Sequence, residues 1–489
     1  MSFIRQKKMS SGVICAYNVT QVWDPEKKQP RQISKYLGVI GADGAIIPKG
    51  TAVRGRPKKN KPLEYAKEKL IVDFGDGFFA SEVIKHSAIY DSLSGFLQKR
   101  PELLSLMAYR LCCPSGPMYN CLSWLSGNIL GTWKPIDKLS SQSISRILAE
   151  LGKEAQQRKF FKSYLQGGHL GPKNVIIDAT SLPNQIHSEF NAWGYSEGTI
   201  EKQFRLHCVV DQATKRPLFY RNVAGNSSDV SALKATVDEL KSLGVNQSFA
   251  LVDSGYCSAG NLKMLRENKI DFLTRLPAGR TLYKTLVITQ AGFIEDTQNL
   301  TVFGKRALFI KTFAIEDLYG DKGYLYMILD PERKNKDIQS LSLECQQDDA
   351  EKEENKEKNA YQLKAAGIFM LISSKEILKE EVLEAYYTRQ SIEQIFGFSK
   401  NDLEIFPIRH HADETIRGYL FLQFLLLIVF IEVREKLAGK YTVEQAFMIL
   451  RSLKCKIYES KYILQELTKK QKQIFGLASI LVPDLNAGI

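Results

Sequence analysis

Residues 174–180, NVIIDAT, are an apolar run that ends on an acidic residue, Asp178, followed by two small residues. Residues 248–253, SFALVD, repeat the pattern and end on Asp253. Short apolar runs of this length predict buried strands. One aspartate at the end of a strand is often only a turn residue or a helix cap. Two of them indicate carboxylates at the edge of one sheet, with room for a ligand beside them.

The sequence around these two runs predicts a mixed α/β domain. Strands are expected at 202–211, 217–225 and 270–276, and helices at 228–244 and 258–269, which gives the order β-β-β-α-β-α-β. Residues 280–372 then interrupt the domain with strand-like runs at 282–288, 300–315 and 323–330 and a charged stretch at 348–359. The charged stretch is expected to be a solvated loop.

A strand at 367–373 leads into a helix that is expected to begin near Lys375. Tyr386, Arg389, Glu393 and Lys400 stand in this helix at offsets of 0, 3, 7 and 14 residues. At about 100° per residue they fall within roughly 60° of one another on the helix. Two interpretations are open: a surface stripe with an i,i+4 ion pair between Arg389 and Glu393, or part of a functional site.

Asp178, Asp253 and Glu393 together are candidate metal ligands. Hard divalent ions prefer carboxylate oxygens, and Mg²⁺ keeps positions open for phosphate and water. Two such ions about 4 Å apart can activate an attacking hydroxyl and stabilise the leaving oxygen in a displacement at phosphorus. Arg389 and Lys400 would then neutralise the phosphate.

These residues resemble those of the DDE transposases of bacterial insertion sequences. The series Asp178-Ala-Thr, Asp253-Ser-Gly-Tyr and Tyr386-x2-Arg389-x3-Glu393-x6-Lys400 is similar to the branch with the YREK signature, and the likeness spans about residues 90–440. The resemblance implies an RNase H-like core, Mg²⁺ or Mn²⁺ as two ions, a homodimer acting on transposon ends and target DNA, and cut-and-paste transposition. It also implies that Tyr386, Arg389 and Lys400 grip DNA near the cleaved end.

The aromatic residues leave open whether the reaction passes through a hairpin intermediate at the DNA end. Some relatives use a tryptophan between the second aspartate and the glutamate to stack on a flipped base, and residues 254–392 contain no Trp. Trp193 is expected in the loop between the first two strands, and packing there is favoured over contact with DNA.

The positive charge of the chain is concentrated at its N-terminus. The net charge is +13, and residues 1–70 carry 15 Lys/Arg against 5 Asp/Glu. Nucleic acid is the simplest partner for such an arm, although a solubilising terminus gives the same composition. Residues 54–57, RGRP, resemble an AT-hook, which predicts minor-groove contacts by Arg54, Arg56 and Lys58. A plain basic linker is the alternative.

Six segments are expected. They are a basic N-terminal β unit and linker (1–61), a helical DNA-binding region (62–170), the first part of the RNase H-like core (171–279), a β-rich insertion with a charged loop (280–366), the second part of the core with the signature helix (367–440), and a C-terminal helical region (441–489). In the helical DNA-binding region, Ser140 or Ser141 is expected to cap a helix.

A cytoplasmic protein without a membrane segment is expected. The eight cysteines form no CxxC pair, and the N-terminus lacks an apolar run of signal-peptide length. The most apolar run, Tyr419–Ile431, is 13 residues long, which is short for a bilayer and indicates a core helix.

Three functions compete: an active transposase, a nuclease or resolvase that cuts without joining, and a DNA-binding repressor descended from a transposase. The three carboxylates argue against the repressor.

Overall fold

The computed structural model describes residues 2–48, 70–167, 173–188, 190–196, 198–227, 229–347, 353–405, 408, 410–458 and 461–485. The chain divides into two compact units, residues 1–68 and 69–489. Arg54, Arg56 and Lys58 lie outside the described residues. The other segment boundaries expected from the sequence stay predictions.

The first unit contains a four-stranded antiparallel sheet. Its strands are β1 (Ser2–Lys8), β2 (Ile14–Asp24), β3 (Gln29–Ile40) and β4 (Ile46–Pro48), in that order across the sheet. A tight turn at 41–44 joins the last two, where the Gly44 N–H donates to the Gly41 carbonyl and Gly44 has a φ of 80°. Glycine adopts this left-handed conformation without the steric cost that a side chain would bring.

The second unit begins with one short strand and seven helices. They are β5 (Leu70–Asp73), α1 (Gly75–Lys85), α2 (Tyr90–Lys99), α3 (Glu102–Cys112), α4 (Cys121–Ser126), α5 (Ile129–Trp133), α6 (Ser141–Leu151) and α7 (Glu154–Gly167). Ser140 caps α6, since its hydroxyl accepts from the Ser143 N–H at 3.2 Å. The strand was not expected from the sequence; it pairs with Lys454–Ile457 near the C-terminus.

A large mixed sheet follows. Its first elements are β6 (Lys173–Pro183), β7 (Ala192–Ser196), β8 (Thr199–Asp211), β9 (Pro217–Ala224), α8 (Asp229–Ser242), β10 (Gln247–Val252), α9 (Ala259–Glu267) and β11 (Asp271–Leu276). Apart from β7, this is the predicted order. β9, β8, β6, β10 and β11 are neighbours in the sheet, with β6–β10 and β10–β11 parallel. The arrangement is consistent with an RNase H-like core.

The stretch between β11 and the signature helix adds strands to this same sheet. Its elements are α10 (Thr281–Gln290), β12 (Leu300–Phe303), β13 (Arg306–Ile315), β14 (Gly323–Leu329), α11 (Pro331–Gln347), α12 (Glu353–Ala365) and β15 (Ile368–Ser373). β12, β13 and β14 are antiparallel, and β14 joins β15, which pairs with β11.

Two predictions for this stretch are wrong. Residues 282–288 were expected to form a strand but belong to α10, where Tyr283 and Val287 are both buried. Spacing of i,i+4 matches a helix, so core packing overrides the β propensity of the individual residues. Residues 353–359 of the expected charged loop lie in α12.

The signature helix is shorter than predicted and is interrupted. It consists of α13 (Val382–Tyr387), α14 (Gln390–Gly397) and a π-helical turn at Phe398–Asp402. The helix does not begin near Lys375 because Tyr326 of β14 holds the preceding backbone: its hydroxyl accepts from the Ile377 N–H at 2.7 Å and donates to the Ile377 carbonyl at 2.8 Å.

The last elements surround a long core helix. They are α15 (Asp413–Leu437), α16 (Val443–Arg451), β16 (Lys454–Ile457), β17 (Tyr462–Leu464) and α17 (Lys469–Leu477), so the C-terminal segment also contains strands. β17, β16 and β5 form a small sheet. The 25 residues of α15 are long and apolar enough to cross a membrane, but 94% of its most apolar window is buried inside the protein, which is typical of a core helix.

Candidate functional site

The two aspartates lie side by side, but the expectation that Asp178 ends its strand is wrong, because β6 continues to Pro183 through its pairing with β8. β6 and β10 are parallel neighbours in which Ile177 pairs with Val252, so Asp178 and Asp253 follow at the same level on adjacent strands. A local bond holds Asp178, whose Oδ1 accepts from the Ala179 N–H at 2.8 Å. Asp253 begins a short 3₁₀ turn at 254–256. The sheet therefore brings two distant acidic residues to one edge.

Arg389 and Glu393 reach this edge from the signature helix. Arg389 lies at the junction where α13 has ended and α14 has not begun. Its Nη2 is 2.9 Å from Glu393 Oε1, which is the i,i+4 ion pair that the spacing allows. Glu393 has a half-exposed side chain, whereas that of Arg389 is largely buried.

One guanidinium joins all three carboxylates. Arg389 Nη1 lies 3.0 Å from Asp178 Oδ2 and 3.6 Å from Asp253 Oδ1, while Nη2 contacts Glu393. The surface stripe is thus the wrong interpretation for Arg389, because two of its three acidic partners belong to the sheet. With every group ionised, the cluster carries two negative charges in excess.

The cluster of Arg389 with its three carboxylates has more negative than positive charge. Burial raises the pKa of Asp178 to about 7, and Arg389 offsets only part of that effect, while Asp253 and Glu393 add repulsion. A buried carboxylate keeps its proton to an unusually high pH when nearby cations do not compensate for lost hydration. The site would therefore bind an additional cation favourably.

The donor atoms fit a divalent metal, although the side chains do not yet enclose one. Among the residues that the structure describes, no three His, Cys, Asp or Glu side chains are grouped closely enough to hold an ion. Arg389 stands between the carboxylates that would have to approach. All three candidate ligands are carboxylates, the donor type that Mg²⁺ and Mn²⁺ prefer.

Tyr386 lies beneath the arginine. Its ring is buried, and the Arg389 guanidinium carbon is 5.9 Å from the ring centroid. The neighbouring Tyr387 stacks on Phe303 of β12, with 5.1 Å between ring centroids. The strands added after β11 therefore support the helix that carries Arg389.

Lys400 sits apart from the ion-pair cluster. It belongs to the π-helical turn, where the Leu403 N–H donates to the Phe398 carbonyl at 2.9 Å. Its side chain lines a small cavity with Thr180, which is two residues beyond Asp178 on β6. A straight helix would have kept Lys400 on one stripe with Arg389; the wider turn changes its direction.

Trp193 was expected in a packed loop, and that prediction is wrong. The residue lies in β7, and 63% of its surface is exposed. Two sequence features typical of a hairpin could have located this strand. Aromatic and small residues alternate at 192–196, and a glycine follows at 198, where φ is 88°.

Comparison with known proteins gives the family. A comparison with curated proteins finds no match. Among solved structures, the cryo-EM structure of a piggyBac transposase synaptic complex with hairpin DNA is similar at 11% identity and a TM-score of 0.36. The aligned region covers 69% of this chain and 59% of that chain, less than two thirds of its length. Residues 169–429 match the family described as the transposase DDE domain. This match covers more than half of the chain and includes Asp178, Asp253 and Glu393, so the protein belongs to the DDE transposase domain family.

Proposed function

We propose that this protein is a transposase that cleaves the ends of an insertion-sequence DNA and joins them to a target, in cut-and-paste transposition. The observation that carries the proposal is the convergence of Asp178, Asp253 and Glu393 on one guanidinium. A structural ion pair needs one carboxylate for each arginine, whereas a site for divalent cations and phosphate needs an excess of acidic oxygens.

Asp178, Asp253 and Glu393 would hold two Mg²⁺ or Mn²⁺ ions. When bound, such ions polarise the scissile phosphate and favour ionisation of the attacking hydroxyl. Water is the first attacking group: its oxygen bonds to phosphorus, the bond from phosphorus to the 3′ oxygen breaks, and that oxygen takes up a proton. The resulting 3′-hydroxyl then attacks a phosphodiester of the target in the same way.

Arg389 has two roles in this proposal. Without DNA it neutralises part of the acidic cluster and keeps the carboxylates from repelling one another. With DNA and cations present, its planar fork can shift to the phosphate, since a guanidinium binds two oxygens at once. Tyr386, packed beneath it, limits the directions in which the arginine can move.

DNA contacts extend beyond the carboxylates. Lys400, which lines the neighbouring cavity with Thr180, would bind phosphate on the side of β6 that carries Asp178. We assign Arg54, Arg56 and Lys58 to flanking duplex DNA, on the basis of their sequence alone. Two copies of the chain would pair two DNA ends in the cytoplasm, as the resemblance to insertion-sequence transposases implies.

The test is single-turnover cleavage of a labelled duplex that carries the DNA flanking the gene, with Mg²⁺ or Mn²⁺. Wild-type protein should cut, Asp253→Asn should not, and Glu384→Gln should cut normally. Glu384 is exposed on α13 and lies outside the cluster, so it is a matched control. A second substrate with a free 3′-hydroxyl tests joining. Binding without cutting would support the repressor instead, and cutting without joining would support the nuclease.

A further inference from the structure

A two-stranded hairpin projects from the large sheet. It comprises residues 192–196 of β7 and 199–203 of β8, and we call it the β7–β8 hairpin. Trp193 pairs with Lys202, and Tyr195 pairs with Ile200. Residues opposite one another in an antiparallel pair point to the same face. The exposed fractions of Trp193, Tyr195 and Ile200 are 63%, 71% and 71%.

The other face of the hairpin is anchored to the protein. Gly194 lies so close to the Gly225 carbonyl that an added Cβ would be 2.2 Å from its oxygen. Gln203 is fully buried beside them. The hairpin is therefore fixed by one face and displays the other, and a contiguous exposed apolar face is unusual on a protein surface that binds nothing.

The displayed face is the one that carries the catalytic aspartate. β6 and β8 pair without a bulge from Val175↔Asp211 to Pro183↔Gln203, and Asp178 pairs with Cys208. Lys202 is six residues from Cys208 along β8, an even number, so the two side chains share a face. The distance along the strand is about 20 Å.

The chemistry of this face suits a nucleic acid strand. Lys202 Nζ is 5.9 Å from the Trp193 ring centroid, so a cation stands among exposed aromatic rings. Between the hairpin and Asp178 this side of the sheet is covered by the π-helical turn, whose Lys400 lines a cavity there with Thr180. Aromatic platforms with interspersed cations bind unpaired bases and the adjoining phosphates. A second copy of this chain, with its own basic charge, is a poorer electrostatic match.

We propose that the β7–β8 hairpin binds unpaired bases of a DNA strand that extends from the catalytic carboxylates, with Trp193 and Tyr195 stacking on the bases and Lys202 contacting phosphate. The inference rests on the proposed function for DNA as the substrate. At about 3.4 Å per stacked nucleotide, the contact would lie about six nucleotides from the scissile phosphate.

The experiment measures binding of two labelled DNAs in EDTA: a blunt duplex, and the same duplex with a six-nucleotide thymidine extension. Wild-type protein should prefer the extension about 30-fold, because each stacked base contributes substantially. Trp193→Ala with Tyr195→Ala should abolish that preference and leave blunt-duplex affinity unchanged. Trp193→Phe should keep most of it. Phe293→Ala is the control, since Phe293 is 68% exposed and also has a cation, Lys311, 6.0 Å from its ring.

A preference that survives in the double variant would overturn the proposal, and so would equal loss of affinity for both DNAs. Altered oligomeric state by light scattering, with unchanged DNA binding, would assign the face to protein contact instead. Thermal unfolding checks that the variants fold. EDTA prevents metal-dependent cleavage, so this binding assay tests the hairpin contact independently of the cleavage assay.

Discussion

Arg389 donates to Asp178 across 211 residues of sequence, with 3.0 Å between Nη1 and Oδ2. The contact joins the interrupted signature helix to strand β6 of the large sheet, and it places a protein cation where the proposed function requires metal and phosphate. Without metal, Arg389 holds the three carboxylates together. Its guanidinium must move away from them when other cations bind.

Replacing Arg389 should separate these two roles. Arg389→Ala and Arg389→Lys should both slow single-turnover cleavage by about 100-fold or more, because a lysine cannot reproduce a fork that spans three carboxylates and then a phosphate. Stability of the metal-free protein should fall by about 2 kcal/mol, less than for a fully enclosed pair, since Glu393 reaches solvent. Affinity for Mn²⁺ should be kept or increased. Normal cleavage with only reduced stability would limit Arg389 to a structural role.

Metal binding should be visible as thermal stabilisation. Saturating Mn²⁺ should raise the unfolding temperature of the wild-type protein by about 3 °C, because a ligand that binds only the folded state stabilises it. Asp253→Asn and Glu393→Gln should remove the shift, and Glu384→Gln should keep it. An undiminished shift in the first two variants would place the ions elsewhere.

The basic linker should contribute to the salt dependence of DNA binding. Replacing Arg54, Arg56 and Lys58 with glutamine should reduce the slope of log affinity against log salt by up to about 2.7, because each phosphate contact releases condensed counterions. The matched control replaces three exposed lysines of α17, Lys469, Lys470 and Lys472, which changes the net charge equally. Equal slopes for the two triple variants would show that the linker only adds charge.

The parts of the site that could be predicted are those set by local pattern. The apolar run before Asp253 located the end of β10, the run before Asp178 located the part of β6 that pairs with it, and the spacing of Arg389 and Glu393 allowed their ion pair. The late start of the signature helix depends on the hydroxyl of Tyr326, which holds the backbone of Ile377 and lies about fifty residues earlier in the chain, and no local signal reports it. The contacts of Arg389 with both aspartates likewise depend on sheet order rather than on helix periodicity.

A buried histidine should make the fold sensitive to acid. Burial, together with repulsion from Arg205 and Arg221, lowers the pKa of His207 to about 4; its Nδ1 lies 2.8 Å from the Tyr256 hydroxyl. Because the folded-state pKa is depressed, the unfolded chain binds the extra proton first. The contribution is fully present above pH 6.5 and is lost as pH falls from 6.5 to 4, by about 3 kcal/mol in total.

The measurement is chemical unfolding of wild-type protein and His207→Asn at several pH values in this range. Asparagine keeps a polar group near the Tyr256 hydroxyl but does not titrate. The difference in unfolding free energy between the two proteins should change with pH in the stated direction. A difference that stays constant from pH 7 to pH 4 would contradict the assignment to His207.

Two glycines allow α6 to cross the core helix α15 with their backbones in contact. A Cβ on Gly418 would lie 1.8 Å from the Leu148 carbonyl oxygen, and a Cβ on Gly152 would lie 1.8 Å from that of Glu414. Gly418→Ala must push the helices apart, because rigid backbone rather than a side-chain tip is the obstacle. We expect a loss of about 3 kcal/mol in unfolding free energy.

Gly476→Ala is the control: nothing lies within 4 Å of that Cβ position in α17, so alanine should be neutral or stabilising by about 0.5–1 kcal/mol. Since α6 belongs to the region predicted to bind DNA, Gly418→Ala should also weaken duplex binding while metal affinity at the carboxylates is unchanged. A neutral Gly418→Ala variant would mean that the two helices are not in backbone contact.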